Sequence, residues 1–178
     1  MKTITQNEII NELYLALISP PRMVVVNYIE PQVNYGFDDK PNFTYCREHN
    51  IKCVDIGRRG GTFVVNKGDI GIGIVVKTLD NSKGFEIQDK FIEYLKSKGF
   101  NVVLNNNDIL IDGYKCFAWS SHYYKEYDAL FISMHFTMSV NIDLIKEICT
   151  KPMNKVPKGF LDFGITREEI LEFIEGVI

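Results

Sequence analysis

The sequence predicts an α+β domain with a mixed, largely antiparallel sheet and helices packed on it. Most predicted strands follow one another through tight turns, such as Lys67-Gly68-Asp69 and Asp112-Gly113, and do not alternate with helices. Helical spacing of apolar residues is confined to a few segments, chiefly at the two ends and in the middle of the chain. With 178 residues, the chain is expected to form one domain, 1–178, with a sizeable core.

The composition is that of an ordinary soluble globular protein, with 46% hydrophobic and 24% charged residues. A net charge of -3 gives no general attraction to nucleic acid or anionic membranes, so neither is expected as a partner. No segment reaches the ~18 apolar residues of a membrane helix. The four cysteines lack C-x-x-C spacing, which favours reduced thiols in a cytoplasmic protein over a disulfide framework or a zinc site.

In the first half of the chain, apolar spacing predicts a helix over 6–18, which Pro20-Pro21 would end. The segment EPQVNYGFDDKPNF is interpreted as a loop, and a short helix is predicted at 42–49. β-branched and apolar runs predict strands at 22–30, 51–56, 62–66 and 70–77.

In the second half, a helix is predicted over 84–98, with Gly99 as its stop. A final helix is predicted to open at a capping box, in which Glu169 follows Thr166 by three residues. The remaining predicted elements are a strand at 101–104, a hairpin of NDILI and YKCFAWS, a strand at 128–140 and a short helix at 141–149.

The segment GRRGG, at 57–61, places two arginines beside three glycines between two predicted strands. Glycines allow a ligand to approach the backbone closely, and arginine adds a fork of donors for an anion. The segment could therefore hold a phosphate or carboxylate, or it could be a tight turn with solvent-facing arginines. It is not a Walker motif, because no Gly-Lys-Ser/Thr follows.

The hairpin turn at Asp112-Gly113 is expected to pair Ile111 with Tyr114 and Leu110 with Lys115. Asp108 is then diagonal to Lys115, and the two could form a plain ion pair or hold a metal-bound phosphate between them. On spacing alone, Lys115 is interpreted as a solvated strand lysine. Strict alternation places five residues on one face of the hairpin: Asp108, Leu110, Lys115, Phe117 and Trp119. It places Tyr114, Cys116 and Ala118 on the opposite face.

Several segments, taken in order, resemble motifs of the lipoate–protein ligase, octanoyltransferase and biotin–protein ligase superfamily, most closely its lipoate-ligase branch. NDILIDGYKCFAWS is similar to N-D-[IL]-x-x-[ND]-G-x-K, and GRRGGTFVVNKGDIG is similar to RR-x-GGG-A-V-Y-H-D-x-G-N. HFTMSVNIDL resembles H-G-T-L-L and its following turn, and KVPKGFLDFGIT resembles the octanoyltransferases' I-P-C-G-I-x-D-x-G-V-T. Together these segments span about residues 22–170.

The resemblance implies a biotin/lipoate-ligase-like catalytic domain without an accessory C-terminal domain. It implies activation of lipoate, octanoate or a related acid with ATP and magnesium, and transfer of the acyl group to a lysine of a lipoyl-type carrier domain. Lys115 would be the catalytic residue, and Asp108 would also bind the metal. The residues implied to bind the cofactor are Arg58, Arg59, Gly60, Gly61, Thr62, Asn107, Asp108 and Lys158.

The chain also departs from the family pattern. Val64-Val65 stands where the family has Tyr-His, and Phe117-Ala118-Trp119 replaces small residues, so Trp119 is expected to narrow or fill the acyl tunnel. Lys158 replaces the octanoyltransferases' cysteine, which leaves a thioester route without a nucleophile at that position. A non-catalytic relative that binds a nucleotide, a carrier domain or another protein is the alternative. His135 is interpreted as a core or cleft-rim histidine.

Overall fold

The computed structural model describes residues 2–19, 22–57, 59–77, 80–105, 108–153 and 155–177. The strands of this part of the chain are β1 (Lys2–Thr5), β2 (Arg22–Asn27), β3 (Gln32–Tyr35), β4 (Lys52–Asp55), β5 (Thr62–Val65), β6 (Ile70–Val76), β7 (Val102–Asn105), β8 (Asp108–Ile111), β9 (Tyr114–Tyr124) and β10 (Ala129–Phe136). The helices are α1 (Ile9–Ile18), α2 (Phe43–Glu48), α3 (Ser82–Ser97), α4 (Ile142–Ile148) and α5 (Arg167–Val177).

The strands form two sheets. The larger has the order β1-β2-β6-β10-β9-β8-β7, and only its β1–β2 pair is parallel within the described residues. The smaller has the order β4-β3-β5, with β3 parallel to β4 and antiparallel to β5. This confirms the predicted α+β class with a mixed, largely antiparallel sheet.

Two strands were not predicted. β1 has four residues, of which only Ile4 is buried, so its apolar signal is too short to recognise. β3 lies in the segment interpreted as a loop, because its Gln32 and Asn34 are polar although both are buried. The predicted first helix begins with a 3-10 turn at 6–8, and its predicted stop at Pro20-Pro21 lies outside the described residues.

The main core lies between one face of the larger sheet and the pair α3 and α5. Phe91 of α3 is at its centre, with ring centroids 5.4 Å from Phe117 and 5.0 Å from Phe136. Both phenylalanines project from this face, because Phe136 is paired with Phe117 in the β10–β9 ladder. The predicted capping box opens α5, where Thr166 N–H donates to Glu169 Oε2 at 2.7 Å and Glu169 N–H donates to Thr166 Oγ1.

Trp119 is part of this core and packs directly on the backbone of α3. Its Nε1–H donates to Gln88 Oε1 at 3.1 Å, and the residue is only 5% exposed. A Cβ placed on Gly84 would lie 2.7 Å from Trp119 Cζ3, so the indole needs a glycine at this point of the helix.

We expect Gly84→Ala to lower the free energy of unfolding by about 1–3 kcal/mol, because the new methyl group overpacks the Trp119 site. Gly176→Ala in α5 is the control, since a Cβ there meets nothing within 4 Å and alanine favours helix. Urea denaturation of the two variants measures the difference. Equal or higher stability of Gly84→Ala relative to wild type would contradict the described packing.

The other face of the larger sheet is partly covered by α1 and faces the smaller sheet. His135 projects from it, since its neighbour Phe136 projects into the core. The His135 ring lies 6.1 Å from the ring of Phe63 in β5, which brings the two sheets together. This face, called the inner face below, carries the candidate site.

Candidate active site

The predicted turn of the β8–β9 hairpin is confirmed. Asp112 has φ 50° and Gly113 has φ 83°, the pair of positive values that a two-residue hairpin turn favours. The turn pairs Ile111 with Tyr114 and Leu110 with Lys115, as expected from the sequence.

A β-bulge follows this turn and changes which side chains accompany Lys115. Ile109 pairs with Phe117, whereas strict alternation would pair it with Cys116, so β9 carries one extra residue at this point. Asp108 is consequently paired with Ala118. Lys115, Asp108 and Ala118 therefore share the inner face.

The expectation that Phe117 and Trp119 lie on the face of Lys115, with Ala118 opposite, is wrong. The bulge shifts the alternation by one residue, so Phe117 and Trp119 turn into the core against α3. Trp119 is thus on the opposite side of the sheet from a ligand beside Lys115 and does not fill a tunnel there. The residue next to this region is the small Ala118.

Asp108 is held between two lysines. Its Oδ1 lies 2.9 Å from Lys115 Nζ, and its Oδ2 accepts a hydrogen bond from Lys155 Nζ at 2.7 Å. The side chains of Asp108 and Lys155 are 20% and 22% exposed, and that of Lys115 is 38% exposed. The cluster is therefore partly shielded from water but accessible from the inner face, and it carries one excess positive charge.

Lys155 reaches Asp108 because its segment extends the sheet at the start of β9. Lys115 N–H donates to Val156 O and Lys158 N–H donates to Lys115 O, both at 3.0 Å, and Pro157 forms a parallel bridge with Lys115. The ammonium of Lys158 lies elsewhere, 5.0 Å from the ring centre of Tyr114, whose side chain is on the core side of β9. The structure thus brings Lys155, and not Lys158, to the Lys115 ammonium.

The Gly-rich turn before β5 is fixed by Asp38. Gly60 N–H donates to Asp38 Oδ2 at 2.9 Å, and Arg59 Nε donates to Asp38 Oδ1 at 3.2 Å. The Arg59 side chain is 89% exposed, and a Cβ on Gly61 would meet nothing within 4 Å. The Thr62 hydroxyl is buried and has no hydrogen-bond partner in the described part of the chain.

Two predicted nucleotide-binding residues, Arg58 and Asn107, lie outside the described residues. The Gly-rich turn itself is on the inner side of the larger sheet, because it leads directly into β5. Phe63 of β5 contacts the His135 ring, and His135 is paired with Ala118 beside Asp108.

Asp69 is a fully buried carboxyl group that organises the floor of this region. Its Oδ1 accepts from Met138 N–H at 2.7 Å, and its Oδ2 accepts from Asn66 N–H at 2.9 Å. His135 Nε2 lies 3.1 Å from the same Oδ2. The His135 side chain is 17% exposed, and its ring centroid lies 5.7 Å from that of Tyr28. Burial raises the pKa of Tyr28, with Asp69 adding to the effect.

An apolar cavity of about 60 Å³ opens on the inner face, between α1 and strands β2, β6 and β10. Its floor is flat because Gly71 and Gly73 lack side chains, and Tyr28 and Glu12 contribute polar groups to its walls. A Cβ on Gly71 would lie 3.2 Å from Tyr28 Cε2. The cavity is smaller than ligand pockets of about 300–1,000 Å³, so an acid that entered would have to displace side chains.

Cys116 and Cys149 are poor nucleophiles. Burial raises the pKa of Cys116 to about 12, and it also raises the pKa of Cys149. Since the thiolate is the reactive form, neither thiol is activated.

The described residues contain no group of three or more His, Cys, Asp or Glu side chains arranged to hold a metal ion. At Asp108, the predicted metal ligand, both carboxylate oxygens already contact ammonium groups.

Comparison with known proteins identifies the fold. No protein-family model and no curated protein matches the sequence. Among solved structures, the matches include lipoate–protein ligases and, at lower TM-scores of 0.51 and 0.54, biotin–protein ligases. The chain therefore has the fold of lipoate– and biotin–protein ligase catalytic domains, with the greater similarity to the lipoate ligases, as the sequence resemblance implies.

Three of these structures match nearly the whole length of this chain. A Thermoplasma acidophilum protein assigned as a lipoate protein ligase, with bound lipoic acid, is 14% identical, with a TM-score of 0.76 over 99% of this chain and 82% of that chain. Lipoate–protein ligase A bound with ATP is 15% identical, with a TM-score of 0.75 over 97% and 80%. A bi-partite lipoate protein ligase of T. acidophilum, studied with its E2 lipoyl domain, is 14% identical, with a TM-score of 0.69 over 94% and 74%.

None of the helices in the described ranges is both long and apolar enough to cross a membrane.

Lys155 and the residues of the cavity were not predicted from the sequence. No local sequence pattern indicates Lys155, because it contacts Asp108, a residue that is distant in the sequence, only in the folded chain. The cavity carries a weak signal in Gly71 and Gly73, which alternate with apolar residues in β6 and so leave one face of that strand bare.

Proposed function

We propose that this protein is an ATP-dependent acyl ligase that activates lipoate, octanoate or a related acid and transfers it to a carrier-domain lysine. The main support for this proposal is the position of the Lys115 ammonium on the inner face of a fold that lipoate–protein ligases share. The neighbours with bound lipoic acid and with ATP support the two ligands, and the neighbour studied with its E2 lipoyl domain supports the acceptor.

The inner face offers a path for an acyl chain. A row of paired residues crosses the sheet from Asp108 through Ala118 and His135 to Gly71 at the cavity. The distance from β9 to β6 is two strand spacings, about 10 Å, which suits an octanoyl or lipoyl chain. The acid carboxylate would lie near Lys115, and the chain would extend over Ala118 and along the His135 ring, which stands on this row, towards Gly71 and Gly73.

Lys115 would act on both steps of the reaction. In the first, a carboxylate oxygen of the acid attacks the α-phosphorus of ATP, and the bond to pyrophosphate breaks. In the second, the carrier amine attacks the acyl carbon, AMP leaves and the amine loses a proton. An ammonium placed at the carboxylate and α-phosphate stabilises the charge that develops in each transition state.

The residues do not fit a magnesium ion held by the protein. Magnesium is usually bound by one or two carboxylates together with substrate phosphates. In the described part of the site the available carboxylate is Asp108, and an ion there would have to displace Lys115 or Lys155. Metal binding by Asp108 stays a prediction from the family resemblance, and the contacts of Asp108 do not support it.

A non-catalytic binding protein is the second candidate. One ground for it, a tunnel filled by Trp119, disappears because the bulge turns Trp119 into the core. The other ground remains, since Val64 and Val65 are core residues without the titratable groups of the family's Tyr-His.

Pyrophosphate release separates the two candidates. The protein is incubated with ATP, magnesium and, in turn, lipoate, octanoate and biotin, and acid-dependent release is followed. We expect lipoate or octanoate to stimulate release and biotin not to. Transfer is then followed by mass spectrometry of a lipoyl domain. Absence of release with all three acids favours the binding protein.

Gly73→Ala tests whether the cavity holds the acyl chain. The new Cβ would lie 3.1 Å from Phe131 Cε2 and 3.3 Å from Val24 Cγ2, both of which line the cavity. We expect KM for the acid to rise about tenfold with a smaller change in kcat, because binding is weakened in the ground and transition states alike. Gly176→Ala in α5 is the control, since a Cβ there meets nothing within 4 Å. An unchanged KM in a folded Gly73→Ala protein would place the acyl chain elsewhere.

A further inference from the structure

The Asp108 carboxylate is bound on both sides by ammonium groups, which a role as a metal ligand does not explain. Each of its two oxygens faces a different ammonium, Lys115 at 2.9 Å and Lys155 at 2.7 Å. We propose that Lys115 and Lys155 form a clamp for the phosphate of an adenylate, and that Asp108 is an internal anion that holds the clamp until the phosphate replaces it. This inference rests on the proposed function for the identity of the ligand, but its geometry does not depend on it.

The positions of the two lysines are coupled by the backbone. Val156 accepts a hydrogen bond from Lys115 N–H, and Lys115 O accepts one from Lys158 N–H, so the segment that carries Lys155 is fastened beside Lys115. Only the side chains have to move when a ligand arrives. Lysine donors on a flexible stem suit such an exchange.

A phosphate offers the two ammonium groups what Asp108 offers them. It presents neighbouring oxygen acceptors, and each lysine can keep one charge-assisted hydrogen bond. The cluster of two lysines and one aspartate carries one positive charge, so it attracts an anion even before Asp108 is displaced. Partial burial, at 20–22% exposure for Asp108 and Lys155, limits screening by water and salt.

The internal anion makes a prediction with a definite sign. Because Asp108 competes with the ligand for the same two ammonium groups, Asp108→Asn should strengthen binding of a phosphate in the absence of metal. The amide oxygen still accepts one hydrogen bond, so the variant removes the charge and keeps part of the tether. A magnesium ligand behaves in the opposite way, since its loss weakens binding of the metal–nucleotide complex.

Calorimetry with AMP in buffer containing EDTA tests the clamp. We expect Lys155→Met and Lys115→Met each to weaken AMP binding about tenfold, and Asp108→Asn to strengthen it about three- to tenfold. Lys155→Arg keeps the charge and should stay within about threefold of wild type. Lys90→Met is the control, because Lys90 forms an exposed ion pair with Glu86 in α3. Thermal unfolding establishes that each variant is folded.

Four outcomes would overturn the clamp. The first is that the wild-type protein does not bind AMP in EDTA, and the second is that Lys155→Met does not change AMP binding. The third is weaker AMP binding by Asp108→Asn. The fourth is that Asp108→Asn needs more magnesium than wild type for pyrophosphate release. The proposed function fails separately, when no acid stimulates pyrophosphate release. AMP binding with the expected pattern but without acid-dependent release would retain the clamp and remove the ligase activity.

Discussion

Lys115→Met is expected to reduce acid-dependent pyrophosphate release by about 100- to 1,000-fold, the effect of removing a donor that stabilises transition-state charge. Methionine keeps an unbranched apolar stem and removes the ammonium, with its charge and its hydrogen-bond donors. The loss should appear in kcat as well as in kcat/KM, because the charge that Lys115 meets is larger in the transition state than in the bound acid. Pyrophosphate release at saturating ATP measures it.

Lys90→Met is a matched control for this experiment. Lys90 is also partly exposed and paired with a carboxylate, Glu86 at 2.7 Å, but it lies on the surface of α3. Its release rate should stay within about twofold of wild type, since an exposed pair of this kind contributes little. If Lys115→Met also stayed within that range while wild type turned over, Lys115 would have no part in the charge stabilisation.

The position of Lys115 could be predicted from the sequence, but its surroundings could not. Asp112-Gly113 fixes a two-residue turn, and the turn fixes the pairing of Leu110 with Lys115. One extra residue in β9 then reverses the alternation beyond the turn. The available signal was the adjacent pair Cys116-Phe117, since two consecutive buried residues do not fit a strand with one exposed face.

Long-range pairing accounts for most of the other omissions. Lys155 belongs to a segment without apolar periodicity, and its place beside Asp108 depends on hydrogen bonds to Lys115, 40 positions earlier in the chain. β3 was overlooked because Gln32 and Asn34 are polar, although Gln32 Nε2 donates to Asn34 Oδ1 in a buried position. Local propensity cannot reveal a buried polar pair that only the second layer of structure covers.

The ordered motifs predicted more than periodicity did. Strand and helix patterns gave the α+β class, whereas the family resemblance gave the ligase fold that the structural comparison then confirmed. A motif resemblance carries information on non-local contacts that a pattern of apolar residues lacks. It also has limits, since Lys158, which stands at the cysteine position of its motif and was implied to bind the cofactor, has its ammonium against the ring of Tyr114.

Asp69→Asn is expected to lower the free energy of unfolding by about 3 kcal/mol, the largest loss among these variants. The reason is that Asp69 is fully buried and both of its carboxylate oxygens accept hydrogen bonds. Asp69 Oδ1 accepts from Met138 N–H, and Oδ2 accepts from Asn66 N–H and contacts His135. An asparagine has one oxygen for these two sides. Whichever way the amide turns, its NH₂ group faces a backbone N–H donor.

The consequence reaches the site as well as the fold. Asp69 joins the turn before β6 to the end of β10, and it orients His135, which lies on the row between Asp108 and the cavity. Loss of this anchor should therefore raise KM for the acid in addition to lowering stability. Urea denaturation measures the first effect, and pyrophosphate release under conditions where the variant is folded measures the second.

Asp143→Asn is the matched control. Asp143 has the same side chain in an i,i+3 ion pair with Lys146, but it is 95% exposed, so its replacement should change the free energy of unfolding by less than about 0.5 kcal/mol. His135→Gln tests the coupling, because Asp69→Asn should cost less once His135 is gone. If Asp69→Asn lowered the free energy of unfolding as little as Asp143→Asn, the hydrogen bonds of Asp69 to Met138 and Asn66 would not stabilise the contact between the turn before β6 and the end of β10. The destabilisation should be close to that of removing one partner from a buried pair, since one of the two backbone donors, Asn66 N–H or Met138 N–H, loses its acceptor in a buried position.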